Sequence, residues 1–294
     1  MDTKPAAING SPVFSVLAPA EQTVPLVFSS PHSGRDYRPD FVASSRLPLP
    51  VLRRSEDSYV DELFACAVRH GAPVLAAGFP RAFCDPNREP YELDPAMFDG
   101  PLPGYANTRS PRVAAGLGTI AKVVSSGFDI YAGKLPLAEI ERRVGGYYHP
   151  YHHRLEELLG DTVRRFGRAL LVDCHSMPSV GGPMDFDTGL SRVDIVLGDC
   201  FGASCAPAIV QTVEDGFRGL GYRVVRNTPY AGGFTTRHYG QPRNGVHALQ
   251  IEINRSLYMN EKQHTKLVAF AGLADDIDRV VGLLAAAVHE MVLP

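Results

Sequence analysis

Short apolar runs alternate along this chain with stretches whose apolar positions recur at helical spacing. The runs at 24–28, 74–77, 169–174, 194–197 and 222–225 predict strands, those at 24–28 and 169–174 buried ones. Residues 58–70 place Tyr59, Leu63, Phe64, Ala67 and Val68 close to a helical period, and Gly71 supplies the stop. Residues 136–166 resume that period with interruptions at Gly145, Gly146 and Pro150, which reads as two helices or one kinked helix. Residues 207–219 predict a further helix, and 264–292 a long terminal one, apolar along one stripe. Residues 246–253 alternate, so Gln250 and Glu252 share one face of a strand and Leu249, Ile251 and Ile253 the other.

Two segments break the pattern. Residues 87–134 are dense in proline and glycine, and a loop of that length inside a compact domain is a functional segment or a cover over a site. Residues 227–245 are again loop-like, with Gly232, Gly233, Gly240 and Gly245. The alternation of strands and helices is an α/β signature. No repeat or composition shift marks a boundary, so the expected layout is one α/β/α domain over residues 1–294.

Composition narrows the class. Hydrophobic residues make up 45% of the 294 and charged residues 21%, which excludes a disordered or fibrous chain. The net charge of −3, without a basic cluster, argues against nucleic acid as a partner. No apolar stretch reaches the roughly 18 residues of a membrane span, and the start of the chain lacks the basic and apolar regions of a secretory signal. Cys66, Cys84, Cys174, Cys200 and Cys205 are odd in number and not closely paired, so reduced, mostly buried thiols in a cytoplasmic protein are expected.

The candidate chemistry sits where the strands end. His32 follows the first strand, Asp85, Asn87 and Arg88 the second, and His175 the strand at 169–174. Ligand sites of open α/β sheets lie outside the carboxyl ends of strands. Two histidines at separate strand ends point toward a metal, whose third ligand should be a carboxylate, with Glu56, Asp57 and Asp61 nearby in sequence. Asp57 has a second reading, a carboxylate favoured by a helix N-terminus. Asp173, two residues before His175, either orients a metal ligand through its other nitrogen or caps a loop, while Cys174 points the opposite way and packs. Glu252, in an apolar strand, is a salt-bridge partner of Arg255 or Arg237, or a general base. Arg88 and Arg237 are solvated or clamp a substrate carboxylate, and His238 and Tyr239 extend that loop. His149, His152 and His153 read as a packed polar patch.

The stretches SSPHSG at 29–34, EDSYVDELF at 56–64, CDPNRE at 84–89, VDCHSM at 172–177, AGGFTTRHYGQP at 231–242 and HALQIEINRSLYM at 247–259 together resemble the N-formylglutamate amidohydrolase family. That family is similar to zinc carboxypeptidases and to the deacylases of N-succinylglutamate and N-acetylaspartate. The resemblance implies a three-layer α/β/α sandwich around a mixed, mainly parallel sheet. It also implies a zinc hydrolase, or one using another divalent metal, that acts on a small N-acyl amino acid and releases formate and glutamate late in histidine breakdown. A deacylase or small carboxypeptidase acting on a different group is the alternative, and a non-catalytic binding protein the reading from another class. Carried over, His32 and His175 match the histidine ligands. Arg35 stands where the carboxypeptidase group has its glutamate ligand, so the carboxylate comes from further on, and Asp57 is preferred to Glu56. Asn87 and Arg88 resemble a pair that grips a substrate carboxylate, Glu252 matches the base, and Arg237, with His238 beside it, is placed to meet a second carboxylate.

Overall fold

The structure is a computed structural model and describes residues 7–8, 11–124, 126–183 and 185–290. Its strands are β1 (Phe14–Leu17), β2 (Leu26–Ser30), β3 (Val74–Ala77), β4 (Ala169–Met177), β5 (Ile195–Gly198), β6 (Val224–Arg226) and β7 (Val246–Asn254). They form one seven-stranded sheet in the order β1-β3-β2-β4-β7-β5-β6. The central strands β3, β2, β4 and β7 are parallel, and β1 and the β5–β6 pair run against them. The fold is therefore α/β around a mixed, mainly parallel sheet. The main helices are α1 (Val60–Leu63), α2 (His149–Phe166), α3 (Pro207–Gly219), α4 (Phe234–Tyr239) and α5 (Phe270–Glu290). Among the described residues, no helix is long and apolar enough to cross a membrane.

Strand alternation sends side chains into two cores. Leu170, Val172 and Cys174 of β4, with Leu249, Ile251 and Ile253 of β7, join Ile209, Val213 and Phe217 of α3 and Ile277, Val281 and Leu284 of α5. The opposite face buries Ala169, Leu171 and Ala248 against Tyr151, Leu155 and Leu159 of α2. The proline-rich segment 87–134 completes that layer with Leu93, Phe98, Ile120 and Ile130, all fully buried. It is thus a packed cover with only short helical turns, Pro95–Met97 and Pro111–Ala114.

Several boundaries differ from the sequence expectation, each for a local reason. The helix expected at 58–70 is split: Tyr59 is left-handed at φ 68°, so α1 starts at Val60, and a 3-10 stretch, Ala65–His70, follows up to Gly71 at φ 80°. The stretch at 136–166 divides into Ala138–Arg143, a π-helical turn Val144–Tyr148 holding the two glycines, and α2, with Pro150 in its first turn. β4 runs on to Met177, so His175 lies within a strand rather than after it. The segment 227–245 contains α4, which carries Arg237 and His238 on a helix. The terminal helix begins at Phe270, because residues 265–266 pair with 259–260 as a hairpin; Val292 lies outside the described residues. Edge strand β1 is not apparent in the sequence, since it spans only four residues and its burial alternates.

Candidate metal centre and adjoining pocket

The two longest strands build the floor of the site. β4 and β7 pair in parallel with Asp173 opposite Gln250 and His175 opposite Glu252. These side chains share the face with Leu171 and Ala248, so the apolar face becomes polar at its carboxyl end. His32 arrives on the turn after β2, where Gly34 leaves no room for a Cβ, which would lie 2.0 Å from the Phe79 carbonyl oxygen. Asp57 is tied to that turn, its backbone N–H donating to the His32 carbonyl at 3.0 Å.

His32, Asp57 and His175 meet with ligand atoms within 4.8 Å of one another, all buried. Asp57 Oδ2 lies 3.4 Å from His32 Nδ1 and 3.1 Å from His175 Nδ1. Those separations match the edge of a tetrahedron with metal–ligand bonds of about 2.0–2.1 Å, roughly 3.3 Å. Arg255 Nη2 donates to Asp57 Oδ1 at 2.8 Å, leaving Oδ2 to face the imidazoles. His32 directs its other nitrogen to a second carboxylate, Nε2 lying 2.7 Å from Asp85 Oδ1, whereas His175 Nε2 meets Asn87 Nδ2 at 3.1 Å, with Asp173 Oδ1 3.0 Å away and not hydrogen-bonded. Carboxylates in that position fix the tautomer and orientation of metal-ligating histidines. His32 Nδ1 is buried without a hydrogen-bond partner. An orphaned acceptor of this kind is costly unless something occupies the space before it. The donor set, its spacing and this orphan fit a divalent cation. Glu56 belongs elsewhere, held by Arg53 at 2.9 Å and Ser58 at 2.7 Å.

Charge reinforces the geometry. Burial alone would raise the Asp57 carboxyl, but His175, His32 and Arg255 outweigh it and hold it well below the usual carboxylate range. Burial would likewise raise Asp85, and Arg81, Arg88 and His32 overcome that. Glu252 differs. Burial pushes it up to about 7, with Asp57 adding to the rise and His175 opposing it. Its Oε1 accepts one hydrogen bond, from Gln250 Nε2 at 2.9 Å, and it pairs with neither Arg255 nor Arg237. A buried carboxyl tuned near neutrality beside the His-Asp-His group suits a proton acceptor.

A pocket of about 160 Å³ adjoins this cluster, lined by Arg88, Arg112 and Arg237, by Glu89 and Glu92, and by Asn87, Gly233 and Phe234. Asn87 joins the two regions: its Nδ2 lies 3.1 Å from His175 Nε2, and its Oδ1 accepts from Thr235 N at 2.8 Å. Gly233 packs so closely on the Asn87 amide that a Cβ would lie 2.3 Å from it. Arg88 is 7% exposed, and burial pushes its guanidinium down to about 10 against the pull of Asp85. Its Nε and Nη1 donate to the carbonyls of Leu117 and Asn87. The segment is braced from α2 and the π-helical turn before it, by His152 Nε2 at 2.8 Å from the Pro86 carbonyl and by Tyr148 OH donating to the Arg88 carbonyl. His152, also 2.8 Å from Tyr239 OH, and His149, beside Tyr91, form packed polar contacts away from the metal group. His238 is exposed and stacked on Phe234, outside the pocket lining.

Sequence reasoning passed over Arg112 and the roles of Arg255 and Asp85. Asp85 and Arg255 had a signal, as charged residues beside strand ends. Arg112 had none, because its position depends on the course of an irregular segment.

The family model for N-formylglutamate amidohydrolase matches residues 24–259. The chain belongs to the N-formylglutamate amidohydrolase family. It is 35% identical over 242 residues to an N-formylglutamate deformylase of Pseudomonas aeruginosa, covering 81% of this chain and 84% of that one. To an N-formylglutamate deformylase of Pseudomonas putida it is 32% identical over 254 residues, or 84% and 86% of the two chains. The crystal structure of N-formylglutamate amidohydrolase from Ralstonia eutropha JMP134 superposes with a TM-score of 0.86 at 36% identity, covering 94% of this chain and 98% of that one. A gene product of Agrobacterium tumefaciens, at 19% identity and TM-score 0.65, shares the fold over 95% of this chain and 96% of its own. Membership of this family makes the chain a hydrolytic enzyme.

Proposed function

We propose that the chain hydrolyses N-formyl-L-glutamate to formate and L-glutamate, with a zinc ion held by His32, Asp57 and His175. The observation that carries this reading is the junction of a buried His-Asp-His group with an arginine-lined pocket through Asn87. When bound, the divalent cation acidifies a water molecule and polarises the formyl oxygen. Glu252 removes the water proton and later hands it to the departing amine nitrogen. Burial, which lifts its proton affinity, suits both halves of that transfer. Arg88 and Arg237 bind the two substrate carboxylates and set the formamide carbon against the nucleophile. Asn87 orients the substrate between them, and His238 steadies the helix turn bearing Arg237 by stacking on Phe234.

On the same reading, residues 1–294 act as one catalytic domain, since the site draws on β2, β4, β7 and α4 of a single sheet and its cover. Histidine degradation is the pathway this hydrolysis serves. A cytoplasmic setting fits the free cysteines, and a small N-acyl amino acid, not nucleic acid or membrane, is the partner. The test is L-glutamate release by the purified zinc-loaded protein from formyl-, acetyl- and succinyl-L-glutamate. We expect the formyl compound to be cleaved fastest. An intact formyl compound beside a hydrolysed acetyl or succinyl one overturns the substrate assignment.

A further inference from the structure

The pocket wall carries a third guanidinium besides Arg88 and Arg237, together with the carboxylates of Glu89 and Glu92. Arg112 stands on the short helical turn Pro111–Ala114, which Ser110 caps by accepting from Val113 N at 3.1 Å. It lines the same cavity as Arg88 and Arg237. Leu117 couples the two arginine-bearing segments: its N–H donates to the Arg112 carbonyl at 2.8 Å, and its carbonyl accepts from Arg88 Nε at 2.8 Å.

The two acids on the pocket wall accept hydrogen bonds from neutral groups rather than pairing with Arg112 or Arg237. Glu89 Oε2 accepts from Asn107 Nδ2 at 2.9 Å, and Glu92 Oε2 accepts from the Glu89 N–H at 3.3 Å. Among the described residues, neither Arg112 nor Arg237 has an ion-pair partner. Guanidiniums gathered around one cavity repel each other until an anion enters.

Two of the three stand beside residues that touch the His-Asp-His group or its neighbouring carboxylate. Arg88 follows Asn87, which touches His175. Arg237 follows Thr236, whose hydroxyl donates to Asp173 Oδ2 at 3.1 Å. Among the described residues, no hydrogen bond or ion pair ties the Arg112 side chain to the His-Asp-His group or the carboxylates behind it, which makes it the guanidinium available to the far end of a bound ligand.

We propose that Arg112 is a specificity-determining residue which, with Arg237, binds the side-chain carboxylate of a dicarboxylic N-acyl amino acid, while Arg88 holds the carboxylate next to the scissile amide. This inference rests on the formylglutamate reading and deepens it. A carboxylate satisfies both guanidiniums with charge-assisted hydrogen bonds. A carboxamide of the same shape neutralises neither, so the site rejects it.

The experiment compares kcat/KM of wild type and Arg112→Ala on N-formyl-L-glutamate and on N-formyl-L-glutamine, which differ only at the far group. We expect a loss of roughly 10–100-fold on the glutamate compound, the value of a charged hydrogen-bond pair. On the glutamine compound we expect a change within about twofold, so the selectivity collapses. Arg112→Lys, which keeps the charge without the fork, should recover part of the loss and shows that the position tolerates replacement. Equal losses on both substrates, or an unchanged preference in Arg112→Ala, overturn the assignment of Arg112 while leaving the formylglutamate reading intact. A wild-type enzyme that leaves N-formylglutamate uncleaved overturns that reading and the role of Arg112 with it.

Discussion

On one face of the sheet, Leu249 and Ile251 of β7 join Phe217 of α3 and Leu284 of α5 in a predominantly apolar core. On the other face, the same strand presents Gln250 and Glu252, and its neighbour β4 presents Asp173 and His175, all buried. One backbone register thus serves two kinds of interior. The first is held by transfer of apolar surface from water, about 25 cal/mol per Å². The second keeps charges out of water, which is tolerable only where each finds a partner. Those partners come from distant places: Arg255 for Asp57, Asp85 for His32, and Thr236 for Asp173. A stability core can be read as separable from a chemistry core, and each can be perturbed alone.

The largest separation is expected from Glu252→Gln. The amide is nearly isosteric and cannot accept the water proton, so kcat should fall by roughly 10²–10⁴-fold. Metal content and melting temperature should change little, which metal analysis and calorimetry of the variant would register. Unaltered turnover removes Glu252 from the mechanism. Phe217→Ala is the mirror experiment. Its ring is fully buried on the apolar face, and truncation should cost about 3–5 kcal/mol in denaturant unfolding. Per folded molecule, kcat/KM should stay within about twofold of wild type.

A smaller effect sharpens the comparison through pH. Burial pushes His152 down to about 4, so the folded state keeps it neutral while the unfolded chain protonates it near 6.5. Its stabilising contribution is therefore complete above about pH 6.5 and lost progressively as pH falls toward 4, up to roughly 3 kcal/mol. Unfolding curves across that range should be flatter for His152→Gln than for wild type. Parallel curves would show that His152 does not carry the pH dependence.

The contrast between the faces also explains what the sequence revealed. The apolar face obeys simple periods, and β3 and α3 occupy the residues that spacing alone indicates, 74–77 and 207–219. On the polar face, period reading ends β4 at residue 174, because His175 and Ser176 close the apolar run although the backbone pairing continues. α4 hides in a glycine-rich segment of only six helical residues. His32 and His175 stood out as polar residues beside apolar runs, Asp57 was one of three carboxylates near in sequence and was preferred through the family resemblance, and the fold brings the three together. Arg112 did not, since no local pattern tells which way residues 87–134 wrap. What is local in the chain was legible; what depends on the closure of an irregular cover was not.

The account turns on whether two imidazole Nδ1 atoms and Asp57 Oδ2 grip one cation. The direct measurement is metal content per chain by plasma mass spectrometry, for wild type and for Asp57→Ala, after stripping with chelator and dialysis against zinc. The account predicts about one tightly held ion in wild type and near none in the variant. A wild-type chain that holds no ion yet keeps full hydrolytic activity after stripping would contradict it.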